Sequence, residues 1–466
     1  MTLQVPVTTT DFSSLPLKPA MLANLKTLGY REMTPIQAAS LPVILKPQDL
    51  IAQAKTGSGK TAAFGIGLLA RLNVRHFQVQ ALVLCPTREL ADQVGKEIRR
   101  LARFTHNVKV LTLCGGMPLG PQIGSLEHGA HIVVGTPGRI MEHLRKGTLS
   151  LSSLKTLVLD EADRMLDMGF LDSINTIIEQ APSDRQTLLF SATYSDGIRR
   201  ISGSIQSNPV AITVESHHSD ADIEQRFYEV ENAQRLPVLA KLLSHYQPSS
   251  TVVFCNTKRL CQEVADDLQQ RGFQAQALHG DLEQRARDQV LVRFANRSCS
   301  VLVATDVAAR GLDIRELEAV INLELSRDPE VHVHRIGRTG RAGQTGLALS
   351  LFSGSEHYKL LAIEANQPHP LTIDRTDTLK VDGSIVFKAP MVTLCIDGGR
   401  KNKVRPGDLL GALTGKDGIA GSEVGKIDIF DFCAYVAVKR AVANRALKHL
   451  AAGKIKGRSF KVRKLR

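Results

Sequence analysis

The chain has 466 residues, 43% apolar and 23% charged, with a formal net charge of +13, a length that exceeds one ordinary hydrophobic core and predicts about two to four domains. No apolar run approaches the ~18 residues a membrane helix needs, and the opening Met1-Thr2-Leu3-Gln4-Val5 lacks a basic region followed by a hydrophobic one, so a cytoplasmic protein is expected. The seven cysteines are odd in number and without CxxC spacing, which predicts reduced buried thiols rather than disulfides or a zinc site.

The first informative stretch is Ala54-Lys55-Thr56-Gly57-Ser58-Gly59-Lys60-Thr61, between the apolar run Asp49-Leu50-Ile51-Ala52 and a helical pattern. A strand, a loop and a helix in that order form the setting of a phosphate-binding loop. Gly57 and Gly59 let successive backbone N–H groups turn onto a phosphate, and the helix N-terminus adds partial positive charge. Lys60 is placed to reach the β- and γ-phosphates of a nucleoside triphosphate, and Thr61 to offer its hydroxyl to Mg²⁺. Ala54 stands where the usual motif begins with glycine.

Further along, Ala81–Cys85, Lys109–Leu113, His131–Val134, Thr156–Leu159 and Thr187–Phe190 are short apolar runs separated by helical patterns. Such alternation predicts a parallel sheet covered on both faces, with ligands gathered at the carboxyl ends of its strands. Each run ends in a polar cluster, and the cluster Asp160-Glu161-Ala162-Asp163 is the most telling. Beside a phosphate loop, Asp160 can hold the same Mg²⁺ as Thr61, and Glu161 can orient or deprotonate the attacking water. The polar stretch 214–222 reads as a linker, which bounds a first domain over 1–213.

The alternation resumes at Thr251–Phe254, Ala275–Leu278, Val301–Ala304, Ala319–Asn322 and Leu347–Leu351, a second α/β domain over 223–370 with no phosphate loop of its own. After a linker at 371–387, residues 388–466 follow the order β-α-β-β-α-β of small RNA-binding domains. From Met391 onward there are 17 Lys and Arg against 6 Asp and Glu, leaving only +2 for the first 390 residues. Positive charge so localised marks a polyanion partner.

The series Gln37 within Gly29–Gln37, the phosphate loop, Pro86–Leu90, Gly115-Gly116, Thr136–Arg139, Asp160–Asp163, Ser191–Thr193, Thr305–Asp313 and His334–Arg341 resembles the ordered motifs of DEAD-box RNA helicases. The likeness covers about residues 10–355. It implies two tandem RecA-like doubly wound parallel-sheet domains followed by a small α+β RNA-recognition-like domain, and an RNA-stimulated ATP hydrolase using ATP and Mg²⁺. It further implies that Gln37 reads the adenine edge, with Tyr30 and Phe12 as aromatic candidates beside the base. Arg338 and Arg341 would act as arginine fingers on the γ-phosphate and Asp313 would hold the ribose. Ser191 and Thr193 would link ATP and RNA sites, while Arg88, Gly116, Thr136, Arg139, Gly280, Gln284, Arg287 and Thr305 would line a track for the RNA backbone.

The last domain resembles the RNA-recognition domain appended to the bacterial DbpA group, which target large-subunit ribosomal RNA, so structured ribosomal RNA is the implied partner of a monomeric enzyme. It departs from the common pattern where strand aromatics are expected: Cys433 and Tyr435 on the third strand, Thr393-Leu394-Cys395 on the first. With each stacked base worth about 1–3 kcal/mol, binding is expected to shift to basic loops, with Arg400, Lys401, Lys403 and Arg405 as candidates, joined by Lys454, Lys456, Arg458, Lys461, Arg463 and Lys464. The rival expectations are an ATP-dependent RNA clamp without strand separation and, disfavoured by Gln37 and the last domain, a DNA helicase.

Overall fold

The computed structural model describes residues 10–54, 57–214, 223–309, 317–340, 345–367, 370–380 and 388–465. Lys55, Thr56, Asp313 and Arg341, most of the first expected linker (215–222) and part of the second (381–387) lie outside the described residues. The chain divides into two compact units.

The first unit is built on seven parallel strands: β1 (Leu50–Gln53), β2 (Ala81–Leu84), β3 (Val110–Leu113), β4 (Ile132–Gly135), β5 (Thr156–Asp160), β6 (Gln186–Ser191) and β7 (Val210–Thr213), in the order β3-β4-β2-β5-β6-β1-β7. Alternation along one strand supplies two cores. Ala81, Val83 and Cys85 pack into the cluster on one face, and Leu82 and Leu84 into the cluster on the other. The order sets β5, β6 and β1 side by side, so Asp160, Ser191 and the phosphate loop emerge together at the carboxyl edge.

The second unit repeats the plan with β8 (Ile223–Glu229), β9 (Thr251–Cys255), β10 (Ala275–Leu278), β11 (Val301–Thr305), β12 (Ala319–Asn322), β13 (Gly346–Phe352) and β14 (Ile373–Asp374), ordered β10-β11-β9-β12-β13-β8-β14. Three strands escaped the hydrophobic pattern. β7 and β14 are sheet edges, and β8 carries Glu224, Gln225 and Arg226 among its apolar residues. β14 falls within the stretch expected as the second linker, and Leu379 of that stretch is buried in the core of this sheet domain.

The same unit contains the small domain: β15 (Met391–Ile396), the helix Pro406–Thr414, β16 (Val424–Ile429), β17 (Ala434–Lys439), the helix Ala443–Ala452 and β18 (Val462–Lys464). Its antiparallel sheet has the order β16-β17-β15-β18. The second helix begins only at Ala443, because β17 runs on through Lys439 and a single 3-10 turn, Arg440–Val442, follows. The last strand starts at Val462, after a tight turn closed by a bridge between Ile455 and Arg458.

Leu394, Ile396, Ala434, Val436 and Val438 face the small domain's own core. The opposite face of the sheet, where Thr393, Cys395 and Tyr435 point, is also buried. Cys395 and Tyr435 pack on Val292 of the helix Gln284–Ala295 in the preceding sheet domain. Thr393 Oγ1 meets Ser298 Oγ at 2.6 Å and accepts from Asn296 Nδ2 at 3.3 Å, and Arg440 Nη2 donates to Gln274 Oε1 at 3.0 Å. The face on which RNA-recognition domains commonly stack bases is therefore occupied by the chain itself.

Candidate nucleotide site and RNA-facing surfaces

Gly57 and Gly59 both adopt positive φ, 86° and 99°, where an L side chain is strained. Gly59 is the N-cap of the helix Lys60–Arg71, so the loop delivers its N–H groups at a helix N-terminus. A Cβ on Gly59 would also collide with Gln37 Nε2. Gln37 is buried; its Nε2 donates to Gly59 O at 3.1 Å and its Oε1 accepts from Thr34 N at 2.9 Å. Thr34 Oγ1 donates to Ser58 O at 2.7 Å. These bonds tie the Gln37 segment to the phosphate loop, and each amide atom keeps one further hydrogen or lone pair for a ligand. Lys60 is buried with its Nζ on Ala54 O at 2.7 Å.

Tyr30 and Phe12 meet edge to face at 6.3 Å, but Phe12 is buried in the core while Tyr30 is half-exposed. The Tyr30 hydroxyl donates to Glu97 Oε1 at 2.6 Å, Arg100 lies over the ring, and burial pushes the phenol up to about 12. Tyr30 is thus the member of the pair with ring surface left to offer.

Asp160 ends β5 in full burial, and its Oδ1 has no hydrogen-bond partner. Burial first, opposed by Lys60 and reinforced by Glu161, raises its carboxyl to about 7. A buried oxygen without a donor beside a phosphate loop fits a divalent cation, with the Thr61 hydroxyl at the loop's end as a second oxygen. Glu161 sits at φ 56°, a left-handed conformation costly for a non-glycine residue. Its Oε2 is held by Arg164 Nη1 at 2.6 Å, both side chains being buried. Asp163 Oδ2 accepts from Ala192 N at 3.1 Å and Thr193 N at 3.2 Å, and Ser191 Oγ accepts from Thr193 N at 3.3 Å. Ala54 N in turn donates to Ser191 O at 3.0 Å. One network joins the acidic cluster, the Ser191–Thr193 segment and the start of the phosphate loop.

In the second unit, Arg338 lies buried one turn beyond the helix Pro329–Ile336. The turn is anchored by Arg335, whose side chain is only 1% exposed. Its five N–H groups reach Asp306 Oδ1 (2.6 Å) and Oδ2 (2.7 Å), Asn256 Oδ1 (2.9 Å), Asn322 Oδ1 (3.3 Å) and Glu324 O (2.8 Å). The guanidinium also lies over the Phe254 ring. Arg335 thereby fastens the turn that carries Arg338 to the end of β11, where Thr305 stands.

Of the expected RNA-facing residues in the first unit, Arg88 lies directly over Gly115 and Gly116, and Gly116 has φ 75°. Any side chain at Gly116 would collide with that guanidinium. Thr136 caps the helix Pro137–Arg145. Arg139 is largely engaged within the unit: Nη1 donates to Gln122 Oε1 (2.9 Å), Nη2 to Met117 O (3.0 Å), and Nε pairs with Glu142 Oε2 (3.1 Å), leaving its side chain 9% exposed. It braces the Gly115–Met117 loop rather than presenting a free guanidinium. In the second unit Gly280 is exposed, while Gln284 donates to Asp288 Oδ1 at 3.0 Å and Arg287 N to Glu283 O at the start of one helix. Arg400, Lys401, Lys403 and Arg405 are exposed along one loop of the small domain.

Comparison with known proteins agrees with this layout in each part. Residues 34–201 match the DEAD/DEAH box helicase family, 234–343 the helicase conserved C-terminal domain and 393–464 the DbpA RNA binding domain. The chain is 58% identical over 464 residues to the ATP-dependent RNA helicase DbpA of Escherichia coli strain K12, covering 98% of this chain and all of that protein. The chain belongs to the DEAD-box RNA helicases. Another member, CshA of Geobacillus kaustophilus, is 45% identical over 356 residues, 76% of each chain. A solved structure of S. cerevisiae Dbp5 bound to RNA and ADP BeF3 superposes with TM-score 0.72 at 32% identity, over 79% of this chain and 96% of that one. This DEAD-box helicase is accordingly an ATP-hydrolysing, RNA-binding enzyme.

Within the DEAD-box motifs, three roles were invisible in the sequence. Arg164, Asp163 and Arg335 all lie inside or beside quoted motifs, yet their partners, Glu161, the Ser191–Thr193 segment and Asp306, are set by the fold. The available signal was charge type: an Arg three residues after Glu161 on a helix start is spaced for an i,i+3 pair.

Proposed function

We propose that this helicase remodels structured large-subunit ribosomal RNA during ribosome assembly, acting in the cytoplasm as a monomer with Mg²⁺ as the cofactor of ATP turnover. The observation that carries the reading is the burial of the small domain's sheet face: with Thr393, Cys395 and Tyr435 enclosed, the domain's excess of basic residues stands on its loops and tail, a backbone-directed address joined to a motor domain. The identity to Escherichia coli DbpA along the whole chain supports the same assignment. Among the described residues no helix is long and apolar enough to cross a membrane.

In this reading Gln37 reads adenine, and Tyr30 contributes its half-buried ring beside the base. Lys60 leaves Ala54 O for the phosphates, while Ala54 to Thr61 cradle them and Asp313 holds the ribose. Asp160 and Thr61 would hold Mg²⁺, which neutralises phosphate charge when bound. Glu161, aimed by Arg164, takes the proton of the attacking water; Arg338 and Arg341 stabilise charge developing on the γ-phosphate. Ser191 and Thr193, through Asp163, report the state of the acidic cluster to the RNA track of Arg88, Gly116, Thr136, Gly280, Gln284, Arg287 and Thr305, with Arg139 serving the track by bracing its Gly115–Met117 loop. Contacts of that kind position a strand without reading it. With stacking near ~1.4 kcal/mol per base-pair step, one ATP-driven closure opens a short duplex locally. Glu161 poised by Arg164 favours turnover over a static clamp.

Crosslinking the full chain to cellular RNA and sequencing the fragments bound to residues 388–466 tests the target. Large-subunit ribosomal RNA is expected; recovery of messenger RNA in its place would defeat the assembly role.

A further inference from the structure

With its sheet face enclosed, the small domain still leaves two large apolar side chains in the open, Leu410 on its first helix and Phe432. Phe432 is 74% exposed, more than any other large hydrophobic residue among those described. It stands in the turn Phe430–Cys433 between β16 and β17. That turn is rigidly built. Phe430 N donates to Cys433 O at 2.8 Å, and the Phe430 ring meets the buried Tyr435 ring edge-on at 5.3 Å. The basic loop is clamped to it from the side: Arg400 N donates to Phe430 O and Lys401 N to Asp431 O, each at 2.8 Å. Arg400 Nη1 pairs with Asp431 Oδ1 at 3.1 Å, so the one carboxylate in the turn is balanced by a guanidinium. A Cβ on Gly399 would collide with the Phe430 carbonyl, so the close approach of the basic loop to the turn depends on that glycine. Lys456 Nζ donates to Lys403 O at 3.2 Å and brings the turn at 455–458 alongside.

We propose that Phe432 is the base-stacking platform of the small domain, receiving an unpaired RNA base while the exposed Lys401 and its basic neighbours hold the flanking phosphates. The inference deepens the reading of this domain as the RNA-binding part and rests on it. A solvent-exposed phenyl ring forgoes about 1.5–3 kcal/mol of burial, and here it is presented by a turn whose backbone is fixed by hydrogen bonds and is joined to the exposed basic loop of Arg400, Lys401 and Lys403. That is the combination single-stranded RNA recognition uses: a π-face for the base and positive charge for the backbone. An unpaired base fits because a base within a duplex already has both faces covered. It also fits a sheet whose first strand carries no aromatic and whose Tyr435, on β17, is buried, since the stacking surface has moved from the sheet to its end.

The chain contains no tryptophan, so Phe432→Trp introduces a single indole reporter into the full-length protein. The probes are an RNA hairpin with an unpaired loop and a blunt RNA duplex of equal length, without nucleotide. The hairpin is expected to quench F432W fluorescence and the duplex to leave it unchanged. Phe432→Ala should weaken hairpin binding about 5- to 150-fold without altering the dependence of affinity on salt, whereas Lys401→Ala should make the logarithmic salt slope shallower by about 0.7. Hairpin affinity of F432A within twofold of the parent, with K401A weakened, would overturn the platform and leave the RNA-binding reading intact. Equal quenching by the duplex would also overturn it, as would quenching by a protein partner but not by RNA. If the parent bound neither RNA, the reading of the domain itself would fall.

Discussion

Asp160 offers a quantitative test of the acidic cluster, because its carboxyl is raised from 3.8 to about 7. Burial is the first cause, and the Lys60 ammonium only partly offsets it. In the unfolded chain the group loses its proton near 3.8, and in the folded one near 7, so between those values only the folded state carries the proton. Stability therefore falls as pH rises through that window and is flat above it. At ~1.4 kcal/mol for each pH unit between the two values, the penalty is about 4 kcal/mol above pH 7. Asp160→Asn removes the ionisation, so the variant should unfold at higher urea than the parent at pH 8 and at similar urea at pH 4. Mg²⁺ and ATP reverse the balance, since a cation demands the ionised carboxylate. Binding should release about 0.8 proton from this group at pH 6.5 and about 0.1 at pH 8. Calorimetry in two buffers of different ionisation enthalpy reads this directly, with D160N subtracting the proton exchange of the nucleotide. If parent and D160N released the same number of protons at pH 6.5, the raised carboxyl and its assignment as cation ligand would both be wrong.

Arg164→Ala should lower kcat of ATP hydrolysis about 10- to 100-fold with KM for ATP little changed, since it leaves Glu161 unaimed without touching the phosphate loop; partial rescue by Arg164→Lys separates aiming from fold, and a rise in KM alone would refute it. Gly116→Ala forces a side chain into Arg88 at positive φ, so stimulation of ATPase by RNA should be largely lost while basal hydrolysis persists; unaltered stimulation would remove this loop from the RNA track. Arg335→Lys keeps the charge but cannot make five fixed bonds, and urea titration should show about 3 kcal/mol lost from the second unit. A loss below about 0.5 kcal/mol would mean that the network around Asp306 reorganises freely.

How much was legible in the chain depends on the range of the physics involved. Leu82, Val83 and Leu84 announce a strand buried on both faces because both neighbouring cores are written into three consecutive residues. The phosphate loop is equally local: Gly57 and Gly59 are required by φ, and Lys60 follows at a fixed offset. β14 is two residues long with Ile373 exposed, so no periodicity exists to detect, and only its pairing with β8 makes it a strand. Arg139 is recognisable as a motif arginine, but its engagement with Gln122 and Met117 depends on a loop packed against its helix. The small domain combines both cases. The lack of an aromatic on β15 and the single Tyr435 on β17 were plain in the sequence, and they argue against strong stacking on the sheet. The residues that stand on that face, Thr393, Cys395 and Tyr435, have a second meaning that only the fold supplies. Packing against Val292 and Ser298 requires side chains that can be dehydrated and hydrogen-bonded within the protein, whereas stacking bases requires aromatic faces left in water. One sheet face cannot meet both demands, so a departure from the RNA-binding pattern also marks a surface already committed to the motor domain.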